Sequence, residues 1–151
     1  METVLLIDGE NLKGKIKTVF RDAKKDKPTW HEFDFKGLFE KAFKGINIDR
    51  MVFYFANIKE HPDSKEKSRE LIEEQRLLKT HLERQGFQVI LSGRVRGQME
   101  ESQKGKPVLV FKEKGVDVKI AVDIVGTYLD MVLMTMARSE FRFALKLIFL
   151  S

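Results

Sequence analysis

Asp8 and Asn11 are the first residues of the chain whose types and spacing could do chemistry. Asp8 follows residues 4–7, four unbroken apolar residues that are typical of a strand buried on both faces of a parallel sheet. A carboxylate in this position lies at the carboxyl end of the strand, where open α/β sheets form their ligand crevice. Gly9 permits a tight turn, and Asn11 follows Asp8 by one helical turn. The arrangement suits cation binding, and the alternative is that Asp8 only caps the next helix.

A second group of charged residues lies in segment 112–125, whose apolar residues fall on nearly every side of a helix and predict a buried helix. Asp117 would lie in its first turn, either as a ligand or as an anion that the helix dipole favours. Asp123 is six positions on, roughly 240° around the helix, and cannot share a face with Asp117. Lys119 and Asp123 are spaced to pair. Asp117 is therefore the better ligand candidate, and Asp123 with Lys119 is assigned a supporting or structural role.

The composition limits the possible metals, partners and compartments. The chain has 151 residues, no cysteine and three histidines. Thiolate sites are excluded and a histidine-rich zinc site is disfavoured, so any metal must be held by oxygen, which Mg²⁺ and Mn²⁺ accept. The length predicts one domain, and a net charge of +5 favours polyanions weakly. We find no signal peptide and no uncharged apolar span, so we expect a soluble cytoplasmic protein without a membrane partner.

Strand and helix patterns alternate along the chain, which predicts βαβ units and a mainly parallel α/β sheet. The predicted strands are residues 4–7, 50–56, 87–91 and 131–135, and the predicted helices are residues 12–25, 34–45, 68–85 and 115–125.

Two short strand-like runs, residues 94–96 and 108–111, interrupt this alternation and predict a projecting β-hairpin. The basic residues there and on the first helix are candidate nucleic-acid contacts: Arg94, Arg96, Lys106 and Lys114 in the hairpin and Lys13 in the helix. The alternatives are a charged edge hairpin that resists aggregation and a solvated lysine face on the helix.

Two motifs together carry a family resemblance. Residues 7–12 (Ile-Asp-Gly-Glu-Asn-Leu), joined to residues 114–118 (Lys-Gly-Val-Asp-Val) and Asp123, resemble the NYN domains, the LabA-like branch of the PIN-like ribonuclease superfamily. The likeness covers nearly the whole chain in the right order. It implies a Rossmann-like three-layer α/β/α fold and metal-dependent cleavage of RNA. It also implies that Asp8, Asn11 and Asp117 lie in an acidic centre that binds Mg²⁺ or Mn²⁺.

The resemblance weakens towards the end of the chain. Where such domains have two acidic residues after the fourth strand, this chain has Arg138 and Glu140. The predicted catalytic residues are therefore Asp8, Asn11, Asp117 and Glu140, and all of these except Asn11 are predicted metal ligands. The chain stops at Ser151, before the fifth strand that the resemblance implies, and we expect the bare edge of the fourth strand to favour a homo-oligomer. The predicted function is an RNA endonuclease with a Mg²⁺ or Mn²⁺ centre. The alternative is a catalytically inactive RNA- or protein-binding module on the same scaffold.

Overall fold

A computed structural model describes residues 3–60, 64–101 and 107–137. Its elements, in chain order, are β1 (Val4–Asp8), α1 (Gly9–Asp22), α2 (Phe35–Ala42), β2 (Arg50–Phe55), α3 (Lys65–Arg84), β3 (Gln88–Leu91), β4 (Arg94–Glu101), β5 (Pro107–Lys114) and α4 (Val116–Ala137). Mixed helices and strands of this kind confirm the predicted α/β class.

The first three strands form a parallel sheet in the order β1-β2-β3. Asp8 pairs with Tyr54 and Phe55 pairs with Leu91, so the carboxyl ends of the three strands lie along one edge. We call it the carboxyl edge. The βαβ units that the alternating patterns predicted for residues 4–91 are therefore confirmed.

Each face of this sheet is covered by helices because successive side chains of a strand point in opposite directions. On one face, Ile7 and Phe53 belong to a cluster that includes buried residues of α1, α2 and α3. On the other face, Val4 and Tyr54 pack with Ile120 of α4. The sheet thus has three helices, α1, α2 and α3, on one face and α4 on the other.

Strands β4 and β5 form an antiparallel hairpin, as the sequence predicts. Its base is joined to the carboxyl edge: the backbone N–H of Ser92 donates to the Phe55 carbonyl at 2.9 Å, and that of Val95 donates to the Asn57 carbonyl at 3.3 Å. Gly93, between these two donors, lies against the backbone of Lys114 and Gly115. The hairpin and the start of α4 are therefore both attached at this edge.

The predicted fourth strand is wrong, because residues 131–135 lie inside α4. A short apolar run does not distinguish a strand from a buried helix. Leucine and methionine, which favour helices, dominate the run, and no glycine or proline interrupts residues 127–137. The strand edge from which we expected self-association is therefore absent from the described part of the chain.

The outer side of α4 carries a stripe of exposed valines: Val118, Val122 and Val125 are 63%, 58% and 55% exposed. Spacings of four and three place them on one side of the helix. Self-association stays a prediction. Across the residues that the structure describes, we find no helix that combines the length and the apolar character needed to cross a membrane.

Candidate functional site

Asp8 is the last residue of β1 and the N-cap of α1, and it is held by Asn11. Its Oδ1 accepts the backbone N–H of Asn11 at 2.9 Å, and its Oδ2 accepts the Asn11 side-chain Nδ2 at 2.9 Å. The first bond is an N-cap, so Asp8 does cap α1, as the alternative interpretation of the sequence holds. A carboxylate has about four lone-pair sites, and these bonds use two of them. Asp8 is thus oriented by Asn11 and still able to accept a cation.

Asp8 and Asp117 both lie at the carboxyl edge. Every second side chain of a strand lies on the same face, so Asp8 shares a face with Val4 and Leu6. Both of those side chains pack on the side of the sheet that α4 covers. Asp117 is exposed in the first turn of α4, just after Gly115, which lies beside Gly93 beyond the end of β3. The fold therefore brings these two carboxylates to the same edge and the same side of the sheet.

The donor set for a metal is incomplete in the described residues. Asp8 and Asp117 offer the hard oxygen ligands that Mg²⁺ and Mn²⁺ prefer. Across residues 3–60, 64–101 and 107–137, no group of three or more histidines and carboxylates is arranged to hold a metal ion. The third predicted ligand, Glu140, lies outside the described residues, as does Arg138. The metal site therefore stays a prediction.

Asp123 ties α4 to the sheet. Its Oδ2 accepts the Tyr54 hydroxyl at 3.0 Å, and its Oδ1 accepts the Lys119 ammonium, which is the predicted pair. Burial, the hydrogen bond to Asp123 and the negative charge of Asp123 raise the pKa of Tyr54. Asp123 and Lys119 thus have the structural role that their position on the helix indicates.

Replacing Tyr54 with phenylalanine should lower the free energy of unfolding by about 1.5–3 kcal/mol near pH 7, because a hydrogen bond to a charged group is lost. The raised pKa of Tyr54 adds a pH dependence. Above about pH 10 the phenol ionises in the unfolded chain but stays protonated in the folded one, so wild-type stability falls as the pH rises. The variant lacks this loss. Urea unfolding at pH 7 and above pH 10 should show the difference between the two proteins shrinking, and a constant difference would contradict the proposed linkage.

Two of the predicted nucleic-acid contacts are exposed at the base of the hairpin. Arg94 and Lys114 lie opposite each other, and Arg96 lies opposite Lys112 in the next-but-one register position. Like charges in opposite positions destabilise a strand pair, so an anion bound at the base of the hairpin would reduce this repulsion. Lys106 lies outside the described residues.

Lys13 does not belong to a solvated lysine face. Its side chain is 15% exposed, and its Nζ pairs with Glu10 at 2.8 Å. The same Nζ lies 5.6 Å from the ring centre of Trp30 and 5.9 Å from that of Phe55. Amphipathic spacing placed Lys13 on the polar side of α1, but the loop that carries Trp30 folds over that side.

This folding creates a cleft of about 720 Å³ that was not predicted from the sequence. Its lining combines cations with aromatic rings and includes Lys13, Lys17, Lys27, Trp30 and Phe55. We call it the lysine cleft. The only signal in the sequence was a single tryptophan, three positions after Lys27, in the segment between the first two predicted helices.

The lysine cleft adjoins the acidic residues through Gly9. A Cβ atom on Gly9 would lie 2.1 Å from the ring of Phe55, so the backbone next to Asp8 is packed directly on a ring that lines the cleft. Only glycine permits this approach. One edge of the sheet therefore carries Asp8 and Asp117 on the α4 side and, on the α1 side, a cleft in which three lysines face two carboxylates, Glu10 and Glu74.

No family model, no curated protein and no solved structure matches this chain. The geometry of this edge and the two motifs in the sequence are therefore the basis on which a function can be assigned.

Proposed function

We propose that this protein is a PIN-like RNA endonuclease of the NYN type that binds RNA across the carboxyl edge and cuts it with Mg²⁺ or Mn²⁺. The observation that carries the proposal is the placement of Asp8 and Asp117 at the edge that also bears the lysine cleft and the base of the hairpin. Cations on either side of the two carboxylates would attract the sugar–phosphate backbone of RNA, which must approach a negatively charged centre.

The residues have distinct parts in this proposal. Asp8 and Asp117, with Glu140, would hold the ion, and Asn11 keeps the Asp8 carboxylate in a fixed orientation. When bound, such an ion acts as a Lewis acid and lowers the pKa of coordinated water. Arg94, Lys114 and the lysines of the cleft would bind phosphates to either side of the centre. No membrane contact is needed.

The second candidate function is RNA binding without cleavage. It is favoured by Arg138, which places a positive charge where the resemblance implies an acidic metal ligand. The basic surfaces would serve this function equally well. The two candidates therefore differ in their requirement for Asp8 as a ligand.

Replacing Asp8 with asparagine tests this requirement, because asparagine caps a helix about as well as aspartate but lacks the negative charge. We expect wild-type protein to cut labelled single-stranded RNA with Mn²⁺ and not with EDTA. The Asp8→Asn variant should cut no faster than the EDTA control and should bind RNA at least as tightly, since a negative charge has been removed. Denaturing gels and filter binding measure the two quantities.

Asp34→Asn is the matched control. Asp34 caps α2 by accepting the backbone N–H of Gly37 at 2.8 Å, the same local role that Asp8 has in α1. This variant should cut RNA like the wild type. Wild-type protein that binds RNA without cutting it selects the second candidate, and wild-type protein that does not bind RNA contradicts both.

A further inference from the structure

Trp30 presents a supported aromatic surface to the lysine cleft. Its ring is stacked on Phe35, with ring centres 6.4 Å apart and an interplanar angle of 26°, and it also contacts Phe33. Phe35 is fully buried, so the indole rests on the core. A ring held in this way loses little conformational freedom when another ring stacks on it.

The lysines around Trp30 crowd one another. The ammonium groups of Lys13 and Lys17 lie 5.6 Å and 5.8 Å from the centre of the indole ring. Burial, followed by the charges of Lys13 and Lys27, lowers the pKa of Lys17, while Glu10 and Glu74 act in the opposite direction.

Glu10 is already paired with Lys13. Among the residues that the structure describes, neither Lys17 nor Lys27 forms an ion pair. The lining thus sets three lysines against Glu10 and Glu74, and the cleft keeps a net positive charge that a bound anion would stabilise.

The size and the lining of the cleft indicate what kind of anion it takes. A volume of about 720 Å³ lies within the range of small-molecule sites and far exceeds a phosphate ion. Trp30 and Phe55 contribute aromatic surface beside the cations. A ligand that combines an anionic group with a planar ring matches both features, whereas a lone phosphate matches only one.

We propose that the lysine cleft is a nucleotide subsite, in which a phosphate lies among Lys13, Lys17 and Lys27 and an unpaired base stacks on Trp30. The subsite rests on the proposed function in that the nucleotide is part of a bound RNA strand. Base stacking on an aromatic side chain tolerates any base, so the subsite selects unpaired nucleotides and not a sequence. Its position on the α1 side of the sheet separates it from Asp8 and Asp117.

The protein carries its own reporter, because Trp30 is its only tryptophan. We expect adenosine 5′-monophosphate to quench the fluorescence of the intact protein saturably. Adenosine and inorganic phosphate, which each supply half of the interaction, should bind at least about tenfold more weakly. Lys17→Gln and Lys27→Gln should each weaken binding of the nucleotide about tenfold.

Lys44→Gln removes the same charge at an exposed position after α2 that does not line the cleft, and it should leave nucleotide binding unchanged. Three results would overturn the subsite: no saturable quenching, phosphate bound as tightly as the nucleotide, or an equal loss in Lys44→Gln.

RNA binding by Trp30→Leu separates this inference from the proposed function. We expect the variant to bind unpaired RNA about tenfold more weakly while duplex RNA is unaffected. If wild type and variant bind RNA equally, the subsite is wrong and the proposed function stands. If the wild type binds no RNA but quenches with the nucleotide, the proposed function fails and the cleft remains a site for free nucleotides.

Discussion

Replacing Phe53 with alanine is expected to lower the free energy of unfolding by about 3–5 kcal/mol. Phe53 is 0% exposed at the centre of β2. Its ring centre lies 5.1 Å from that of Phe87, 5.4 Å from that of Phe35 and 5.8 Å from that of Phe55. These neighbours are large rings held in α2, in β2 itself and just before β3, so the site cannot collapse around a missing side chain. The substitution should also disturb the lysine cleft, because Phe55, which packs on Phe53, lines it.

Urea unfolding measures this loss, and Val19→Ala provides the control. Val19 is 65% exposed on α1, so its truncation should change the free energy of unfolding by no more than about 0.5 kcal/mol. A cost below about 1 kcal/mol for Phe53→Ala would show that the aromatic cluster repacks freely, contrary to the close packing of its rings.

Replacing Gly93 with alanine is expected to cost about 2–4 kcal/mol, from two causes. Gly93 has φ of 75°, a conformation that costs other residues about 1 kcal/mol or more. In addition, the new Cβ would lie 2.4 Å from the carbonyl oxygen of Lys114. That oxygen belongs to the backbone and cannot rotate away, so the two segments must separate. The separation would shift the start of α4, where Asp117 lies.

Gly86→Ala measures the first cause alone. Gly86 has φ of 90°, but no atom lies within 4 Å of the position that a Cβ would take, so only the conformational cost applies. We expect it to cost about 1–2 kcal/mol, less than Gly93→Ala. Denaturant unfolding of both variants gives the comparison, and equal costs would mean that the contact between Gly93 and Lys114 contributes nothing.

The local features of the carboxyl edge could be predicted from the sequence. The apolar run before Asp8 favours a buried strand, because the run is short and Gly9 marks a turn directly after it. The spacing of Asp8 and Asn11 determines a cap, because a short carboxylate reaches the third following backbone N–H. The pairing of Lys119 with Asp123 follows from helical geometry in the same way.

The length of α4 shows where local patterns fail. Residues 131–135 are as apolar as a strand, and only their leucine and methionine content and the lack of glycine and proline in residues 127–137 favour a continued helix. Periodicity cannot decide such a segment, because a buried helix and a buried strand both present apolar side chains in every direction.

The lysine cleft was decided by the tertiary structure. Lys13 and Lys17 come from α1, Phe55 from β2, and Lys27 and Trp30 from the segment between α1 and α2. In the sequence, the two helical lysines are part of an ordinary basic helix face and Trp30 is a loop residue. Their approach depends on Trp30 packing against Phe33 and Phe35. It also depends on Gly9, whose lack of a Cβ atom lets α1 start against the ring of Phe55. Such contacts join residues far apart in the chain, and residue spacing carries no information about them.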